Sequence, residues 1–459
     1  MPKEKPPVST GQTIEMDITD LNHNGEGVGR VDAFTVFVPL ALPGDRVKAK
    51  VISVKKSYAR ALLEAVLNPS SHRIASLCRH FEDCGGCQLQ HLDYGEQLRR
   101  KRQIVQDALR RLGGLDLEVL PVLGMSEPWS YRNKAQFPLG IEEKALKAGF
   151  FRRGTHEIID LENCSIQHPL IDEAFGIARE LIQELGMSIY DEKTHHGLLR
   201  HLVIRASHSG DQVLVILVTN GREFPQAKSF VEAITPRIPG LVGIVQNINN
   251  RRGNVVLGEE NIMLWGKSYL VEKLGEISYL VSPGSFFQVN SAQAEVLFRQ
   301  VEKYAVLTGS ETVFDLYCGT GTIALYLSRK AGKVVGIESY SPAVEDARKN
   351  AQLNGITNAE FFTGPAEDIF PGLLEQGYSS DVVIVDPPRK GCTEKLLSTI
   401  AAANPNRFIY VSCNPSTLAR DLRYLKEKGY SASEVQPVDM FPHTSHVECV
   451  VLMSRVTSK

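Results

Sequence analysis

Apolar and polar residues alternate strictly near the start of the chain. R-V-K-A-K-V-I-S-V, residues 46 to 54, puts an apolar side chain at nearly every second position, which predicts a strand with one face buried. The segments G-Q-T-I-E-M-D-I-T-D-L-N-H-N-G-E-G-V-G-R (11 to 30) and F-T-V-F-V-P (34 to 39) continue the pattern. About five short strands are expected, forming a small β-barrel over residues 9–67. The outward positions of residues 45 to 64 carry Arg46, Lys48, Lys50, Lys55, Lys56 and Arg60 against only Asp45 and Glu64. A basic barrel of this kind suits RNA phosphates, while a merely solvated face is the plainer alternative.

The period then lengthens. From Glu96 to Arg111, Leu98, Val105, Leu109 and Leu112 mark a helix whose other face carries Arg99, Arg100, Lys101, Arg102, Arg110 and Arg111. That stripe reads either as a phosphate-binding face or as a solvated one. W-S-Y-R-N-K-A-Q (129 to 136) and L-L-R-H-L-V-I-R (198 to 205) read as strands of a central α/β region over 68–284, with Arg132, Lys134, Arg200 and Arg205 as candidate RNA contacts. The N-terminal tip, Met1 to Thr10, reads as disordered.

From about Ser285 to the end, short apolar runs break into turns in the manner of a doubly wound α/β domain, 285–459. T-V-F-D-L-Y-C-G-T-G-T-I-A-L (312 to 325) is a strand, a turn through Gly319 and Gly321, and an apolar helix. K-V-V-G-I-E (333 to 338) is a second strand whose last residue, Glu338, is placed to accept hydrogen bonds from ribose hydroxyls. A third glycine at 324 would signal a dinucleotide, but Ala324 stands there, so S-adenosylmethionine fits better than a pyrophosphate cofactor.

Three later strand ends carry chemistry. I-V-D-P-P-R (384 to 389) offers Asp386 before a rigid turn, V-S-C-N-P (411 to 415) offers Cys413, and H-V-E-C-V-V-L-M (446 to 453) offers Glu448. A thiol, a carboxylate and a methyl donor together suit methylation of carbon 5 of uracil. That carbon is a poor nucleophile until a thiolate adds at carbon 6, and a base must later remove the proton from carbon 5. Cys318, Cys392 and Cys449 beside these motifs read as buried apolar fillers.

A second cysteine group, Cys78, Cys84 and Cys87, lies in L-C-R-H-F-E-D-C-G-G-C-Q, with Cys164 as a distant fourth. Four thiols can hold an iron-sulfur cluster or zinc, and spacing alone leaves the two open. At 459 residues the chain is long enough for two or three domains, and its net charge of -2 means that RNA binding must come from local patches. With no leader or membrane span evident, a reduced cytoplasmic protein is expected.

These motifs together resemble the RNA uracil-5-methyltransferases, in particular their bacterial ribosomal RNA branch, over nearly the whole chain. The resemblance implies Cys413 of S-C-N-P as nucleophile and Glu448 of H-x-E-C as base. It implies cofactor contacts at Gln288 of F-F-Q-V-N, Tyr317, Gly319, Glu338 and Asp386, with Tyr317 serving through its ring. It makes the barrel TRAM-like, and it assigns Cys78, Cys84, Cys87 and Cys164 to a [4Fe-4S] cluster rather than zinc. The substrate it implies is 23S ribosomal RNA, acted on by a monomer with no membrane partner. The competing readings are a transfer-RNA uridine methyltransferase and a non-catalytic iron-sulfur RNA-binding scaffold. A cytosine-5 DNA methyltransferase would need a Pro-Cys pair and an E-N-V motif, and a radical enzyme a C-x3-C-x2-C triplet. The chain has none of these.

Overall fold

The computed structural model describes residues 5–455. Alternation gives the first unit: strands Thr13–Leu21, Gly27–Val31, Phe34–Val38, Arg46–Val54 and Tyr58–Asn68 close into a barrel. Ile14, Met16, Ile18, Val36, Val38, Val47, Ala49 and Val51 fill it, while Arg46, Lys48 and Lys50 point outward. Within the predicted N-terminal tip, residues 1–4 lie outside the described residues, and Val8 is buried in the barrel core. The tip is therefore anchored from residue 8 onward. The barrel is tied to the rest by an ion pair between the half-buried Arg73 and the buried Asp45, 2.5 Å.

The middle of the chain builds a seven-stranded sheet in the order Glu260–Gly266, Leu241–Ile248, Val213–Thr219, Leu199–Ala206, Lys134–Glu142, Ala145–Phe151, Ile158–Asp160. Helices Pro169–Glu184 and Ala227–Ile234 cover one face. On the other face, Val203, Leu214, Ile216, Val218 and Val245 share a core with the C-terminal unit. Residues 129–133, expected in a strand, precede it, since pairing starts at Lys134.

The C-terminal sheet has eight strands in the order Ala359–Thr363, Lys333–Glu338, Thr312–Asp315, Val382–Val385, Arg407–Ser412, Glu448–Arg455, Tyr430–Val438, Glu118–Val119. Its parallel strands are apolar without alternation because both faces are covered. Val382 and Ile384 join the layer holding helices Ser291–Ala305, Thr322–Ser328 and Ser341–Leu353. Val383 and Val385 join the layer holding Ala366–Glu375, Glu394–Ala403 and Pro415–Glu427. Sheet order reverses between Lys333–Glu338 and Val382–Val385, on either side of Thr312–Asp315. Such a reversal opens a crevice at the carboxyl ends of the strands.

Several charged residues lie elsewhere than expected. Helix Tyr94–Ala108 packs Val105 and Ala108 on the C-terminal sheet, while Leu112, expected on the apolar face, is exposed. Lys101, expected in the basic stripe, is fully buried and pairs with Asp439 at 2.5 Å. Arg102 donates to the Val119 carbonyl at 2.6 Å. Arg200 and Arg205 are buried too: Arg200 donates to the carbonyls of Asn249 and Arg251, and Arg205 to those of Pro283 and Ser285. These two arginines tie loops together and are not available to RNA.

Candidate active site

Asp386, Cys413 and Glu448 stand at the ends of three neighbouring strands, Val382–Val385, Arg407–Ser412 and Glu448–Arg455. The last strand is antiparallel to its neighbour, and the register that pairs Ser412 with Cys449 carries Cys413 to the level of Glu448. Beyond Cys413 the chain is held extended by Asn414, at φ -140 and ψ 103, and Pro415 then starts a helix. The Asn414 side chain caps that helix by accepting from Ser416 N–H, and its amide donates to the Arg389 carbonyl at 3.0 Å. Thr417 donates to the same carbonyl. The D-P-P-R turn is thus fastened to the S-C-N-P turn, and both open into one cleft of about 680 Å³ that also holds Gln288, Tyr317, Gly319, Glu338, Phe441 and His446.

Charge is unevenly distributed there. Burial, then the nearby Asp386 carboxylate, pushes Glu448 up to about 8, opposed by Arg389. Burial likewise raises Asp386. The Cys413 thiol is pushed up to about 12 by burial, then by Glu448 and Asp386, again opposed by Arg389. At neutral pH the thiol is protonated, so any addition by its sulfur must be accompanied by loss of that proton. His446 is held down to about 4 by burial and by Arg389. Its Nε2 lies 3.3 Å from the Arg389 guanidinium, and arginine only donates, so this nitrogen accepts and the ring is neutral.

The other end of the cleft suits a nucleoside cofactor. Gly319 and Gly321 have φ of 53° and 80°, left-handed values that a side chain would strain. A Cβ on Gly319 would meet nothing within 4 Å, so the cleft comes right up to the backbone. The Glu338 carboxylate is fixed by the N–H groups of Gly319, 3.2 Å, and Tyr340, 2.8 Å, and by the Ser339 hydroxyl. Thr320 Oγ1, on the cleft wall, is buried without a partner. Tyr317 is half-buried, and burial raises its hydroxyl. The Gln288 carbonyl accepts from Asn133 at 3.0 Å. These groups fit a nucleoside carrying a positive charge. Nothing in them cradles a pyrophosphate.

Cys78, Cys84, Cys87 and Cys164 border a second cavity, of about 350 Å³. All four are free thiols. Burial raises Cys84, Cys87 to about 11 and Cys164 to about 12, and neighbouring thiols add to each. Arg153 donates to the carbonyls of Phe81, Cys84 and Cys87, Gly86 N–H to Cys84 Sγ, and Gln90 to Cys87 Sγ. Among the described residues no group of three or more His, Cys, Asp and Glu is arranged to hold a metal ion. The thiols surround a space and do not meet at a point.

Arg389 and His446 carry no role in the sequence reading, although both stand inside the motifs that name Asp386 and Glu448. Asp315, pushed up to about 7 by burial and then by Asp386, lies behind the cleft wall, where it accepts from Ala324 N–H at 3.2 Å and holds the helix that follows the glycine turn.

Comparison with known proteins agrees with this geometry. Residues 93–456 match the tRNA (uracil-5-)-methyltransferase family model, and residues 7–63 match the TRAM domain. The chain is 47% identical over 454 residues to an RNA methyltransferase of Halalkalibacterium halodurans, covering 99% of each. It is 46% identical over 452 residues to one of Clostridium tetani, covering 98% of each. A solved structure, the tRNA (uracil-54, C5)-methyltransferase of Pyrococcus abyssi with S-adenosyl-L-homocysteine, superposes with a TM-score of 0.76 at 30% identity, covering 96% of this chain and all of that one. The chain belongs to the tRNA (uracil-5-)-methyltransferase family and is an S-adenosylmethionine-dependent RNA methyltransferase with an N-terminal TRAM barrel.

Proposed function

We propose that the protein methylates carbon 5 of a uridine in 23S ribosomal RNA, with Cys413 as nucleophile and Glu448 as base. The observation that carries the uracil chemistry is the placement of Cys413, Glu448 and Asp386 on three adjacent strand ends, in the same cleft as the glycine turn and Glu338. The choice of 23S RNA rests on the resemblance of the motifs and the cysteine group to the ribosomal RNA branch. Gln288, Tyr317, Gly319, Glu338 and Asp386 hold S-adenosylmethionine, which supplies an electrophilic methyl group on a positively charged sulfur. Cys413 Sγ bonds to carbon 6 of the ring as its proton passes to solvent, and carbon 5 becomes an enolate carbon able to take the methyl group, with the demethylated cofactor sulfur leaving as a neutral thioether. Arg389, the cation opposing the charge on both Cys413 and Glu448, steadies the anionic forms. Glu448 then removes the carbon 5 proton, and the Cys413–carbon 6 bond breaks. Raised to about 8, Glu448 is a stronger base than an ordinary carboxylate once it is ionised, a form that Arg389 and, before methyl transfer, the positive charge of the bound cofactor both favour. The uridine must be unpaired or flipped out to reach Cys413.

Four thiols around one space, with Arg132 and Lys134 beside them and no acid among the lining residues, fit an anionic thiolate cluster. In this reading Cys78, Cys84, Cys87 and Cys164 hold a [4Fe-4S] group that fixes the surrounding loop. The barrel, 9–67, and the central region, 68–284, grip RNA, while 285–459 carries out the chemistry. The protein works as a monomer in the cytoplasm.

Transfer RNA is the second reading, because a structure named for uracil 54 of transfer RNA aligns with nearly all of this chain. Nucleoside mass spectrometry decides between them, on separated ribosomal and transfer RNA from cells lacking the protein, treated with adenosylmethionine and purified enzyme. New 5-methyluridine in large-subunit RNA supports the first reading, and in transfer RNA the second. None in either fraction overturns the uracil assignment.

A further inference from the structure

Glu448 is the first residue of its strand, and the pairing of Val438 with Glu448 closes the ladder there. On its N-terminal side the base is held only by the loop 439–447. That loop also brings Phe441 and His446 to the cleft wall, and the rest of the molecule grips it closely. Lys101 donates to Asp439 at 2.5 Å and to the Phe441 carbonyl at 3.0 Å, in a pair with no exposed surface on either side. The Tyr94 hydroxyl donates to the other Asp439 oxygen at 2.9 Å and accepts from Met125 N–H. Gln97 accepts from His443 N–H at 3.0 Å. Asn290 donates to the Met440 carbonyl and Tyr131 to that of Pro442. The His443 ring stacks on Trp129 with centroids 3.7 Å apart, and His443 itself has φ of 66°, a conformation that a non-glycine residue keeps only where its surroundings dictate it.

One helix, Tyr94–Ala108, supplies Tyr94, Gln97 and Lys101 from successive turns of a single face. We propose that these three are positioning residues for the proton-abstraction step: the Lys101–Asp439 pair, flanked by Tyr94 and Gln97, sets the loop that aims Glu448 at carbon 5. This rests on the uracil reading above. Glu338, Asp386 and Cys413 stand on other elements, and the loop reaches Cys413 only indirectly, through the contact of His446 with Arg389, so loosening the loop falls mainly on Glu448 and slows the step that releases the product. A helix serving only general stability would lower the amount of active enzyme and trap nothing.

The test uses Lys101→Met and Tyr94→Phe in the full-length protein, with RNA and adenosylmethionine, and reads the protein–RNA adduct on a denaturing gel beside turnover. Lys101→Met is expected to lower kcat by about 10- to 100-fold, the scale of a small misplacement, with the KM for adenosylmethionine unchanged and the adduct accumulating. Tyr94→Phe, which removes one hydroxyl and keeps the ion pair, is expected to show the same adduct at a smaller loss of rate. It decides the matter if Lys101→Met does not fold. Reduced turnover without adduct in a folded variant, or adduct-free turnover at the native rate in Tyr94→Phe, overturns the proposal. Failure of the native enzyme to form 5-methyluridine would instead strike the uracil reading itself, and the positioning role with it.

Discussion

Two cavities of this protein hold reduced thiols, and their linings carry opposite charge. The cleft around Cys413 is walled by Glu338, Glu367, Asp386 and Glu448, with Arg389 and Lys390 as cations. The cavity around Cys78, Cys84, Cys87 and Cys164 is walled by Arg132 and Lys134 with no acid. Burial raises the thiol in the first and three of the thiols in the second, so desolvation alone does not distinguish them. The neighbours do. Carboxylates around Cys413 keep it protonated until a substrate arrives and favour a cationic cofactor. Arg153 lowers Cys84 and Arg132 lowers Cys87 against the burial and neighbouring thiols that raise them, and Lys134, pushed down to about 7 by burial, then by Arg205 and Arg132, would regain its full charge beside an anionic group. The first cavity is suited to chemistry and the second to holding something permanently.

The sharpest way to break this contrast is to remove one thiol from each side. Cys413→Ala should lose methylation by at least about 10³-fold and form no covalent RNA adduct, while binding adenosylmethionine and keeping whatever iron the native protein holds. Methyl transfer measured with labelled cofactor checks the first and calorimetry the second. A Cys413→Ala protein that still methylates would remove the cleft's thiol from the mechanism. Glu448→Gln should slow turnover by about 10²- to 10⁴-fold and leave a protein–RNA band on a denaturing gel. In the other cavity, Cys87→Ser should lower bound iron in anaerobically purified protein, which iron analysis and the visible spectrum both read. Equal iron in Cys87→Ser and native protein would erase the contrast from its permanent side.

Chemistry carried by contiguous residues is legible from sequence here. D-P-P-R, S-C-N-P and H-V-E-C each contain a proposed site residue together with the turn or strand that aims it, and the barrel announces itself by alternation. Which charges are buried is not legible. Lys101 looks no different from Arg99 or Arg100 beside it, because the acid that neutralises it, Asp439, is 338 residues away. Arg205 is buried against carbonyls 78 and 80 residues on, and a carbonyl acceptor leaves no trace in side-chain identity. The four cysteines could be counted, but the cations facing them come from Arg132 and Lys134 on a separate segment.

Acidity offers a milder probe of the cleft. The folded protein holds Glu448 near pH 8, against 4.5 for an ordinary glutamate. Folding therefore binds a proton at this site between those values. The stabilising contribution is complete below about pH 4.5 and is lost as the pH rises through about 8. Glu448→Gln carries no such proton, so its melting temperature should gain on that of the native protein as the pH is raised from 5 to 8, without cofactor. A constant gap across this range would mean that the carboxyl titrates normally and that the cleft is not as dry as its lining suggests. Adding adenosylmethionine should reduce the trend in the native protein, since a positive charge beside Asp386 and Glu448 favours their ionised forms.

The smallest effect is expected where the protein meets RNA broadly. Lys48 and Lys50 project from the barrel strand Arg46–Val54. A Cβ on Gly25, in a neighbouring barrel loop, would come within 2.9 Å of the Gln88 side chain and 3.3 Å of that of Ser445. The barrel therefore abuts both the cysteine loop and the loop that leads to Glu448, and RNA lying across it can reach the cleft. If these lysines neutralise phosphates, Lys48→Gln with Lys50→Gln should weaken RNA binding only a few-fold at moderate salt. The slope of log affinity against log salt should fall by about 0.7–0.9 for each phosphate no longer neutralised. Turnover at saturating RNA should not change, because neither residue lies in the cleft. A lowered affinity with an unchanged slope would mean that the lysines support the barrel's shape rather than touch phosphate. A change in saturated turnover would mean that the barrel delivers the uridine to Cys413 rather than merely holding the RNA nearby.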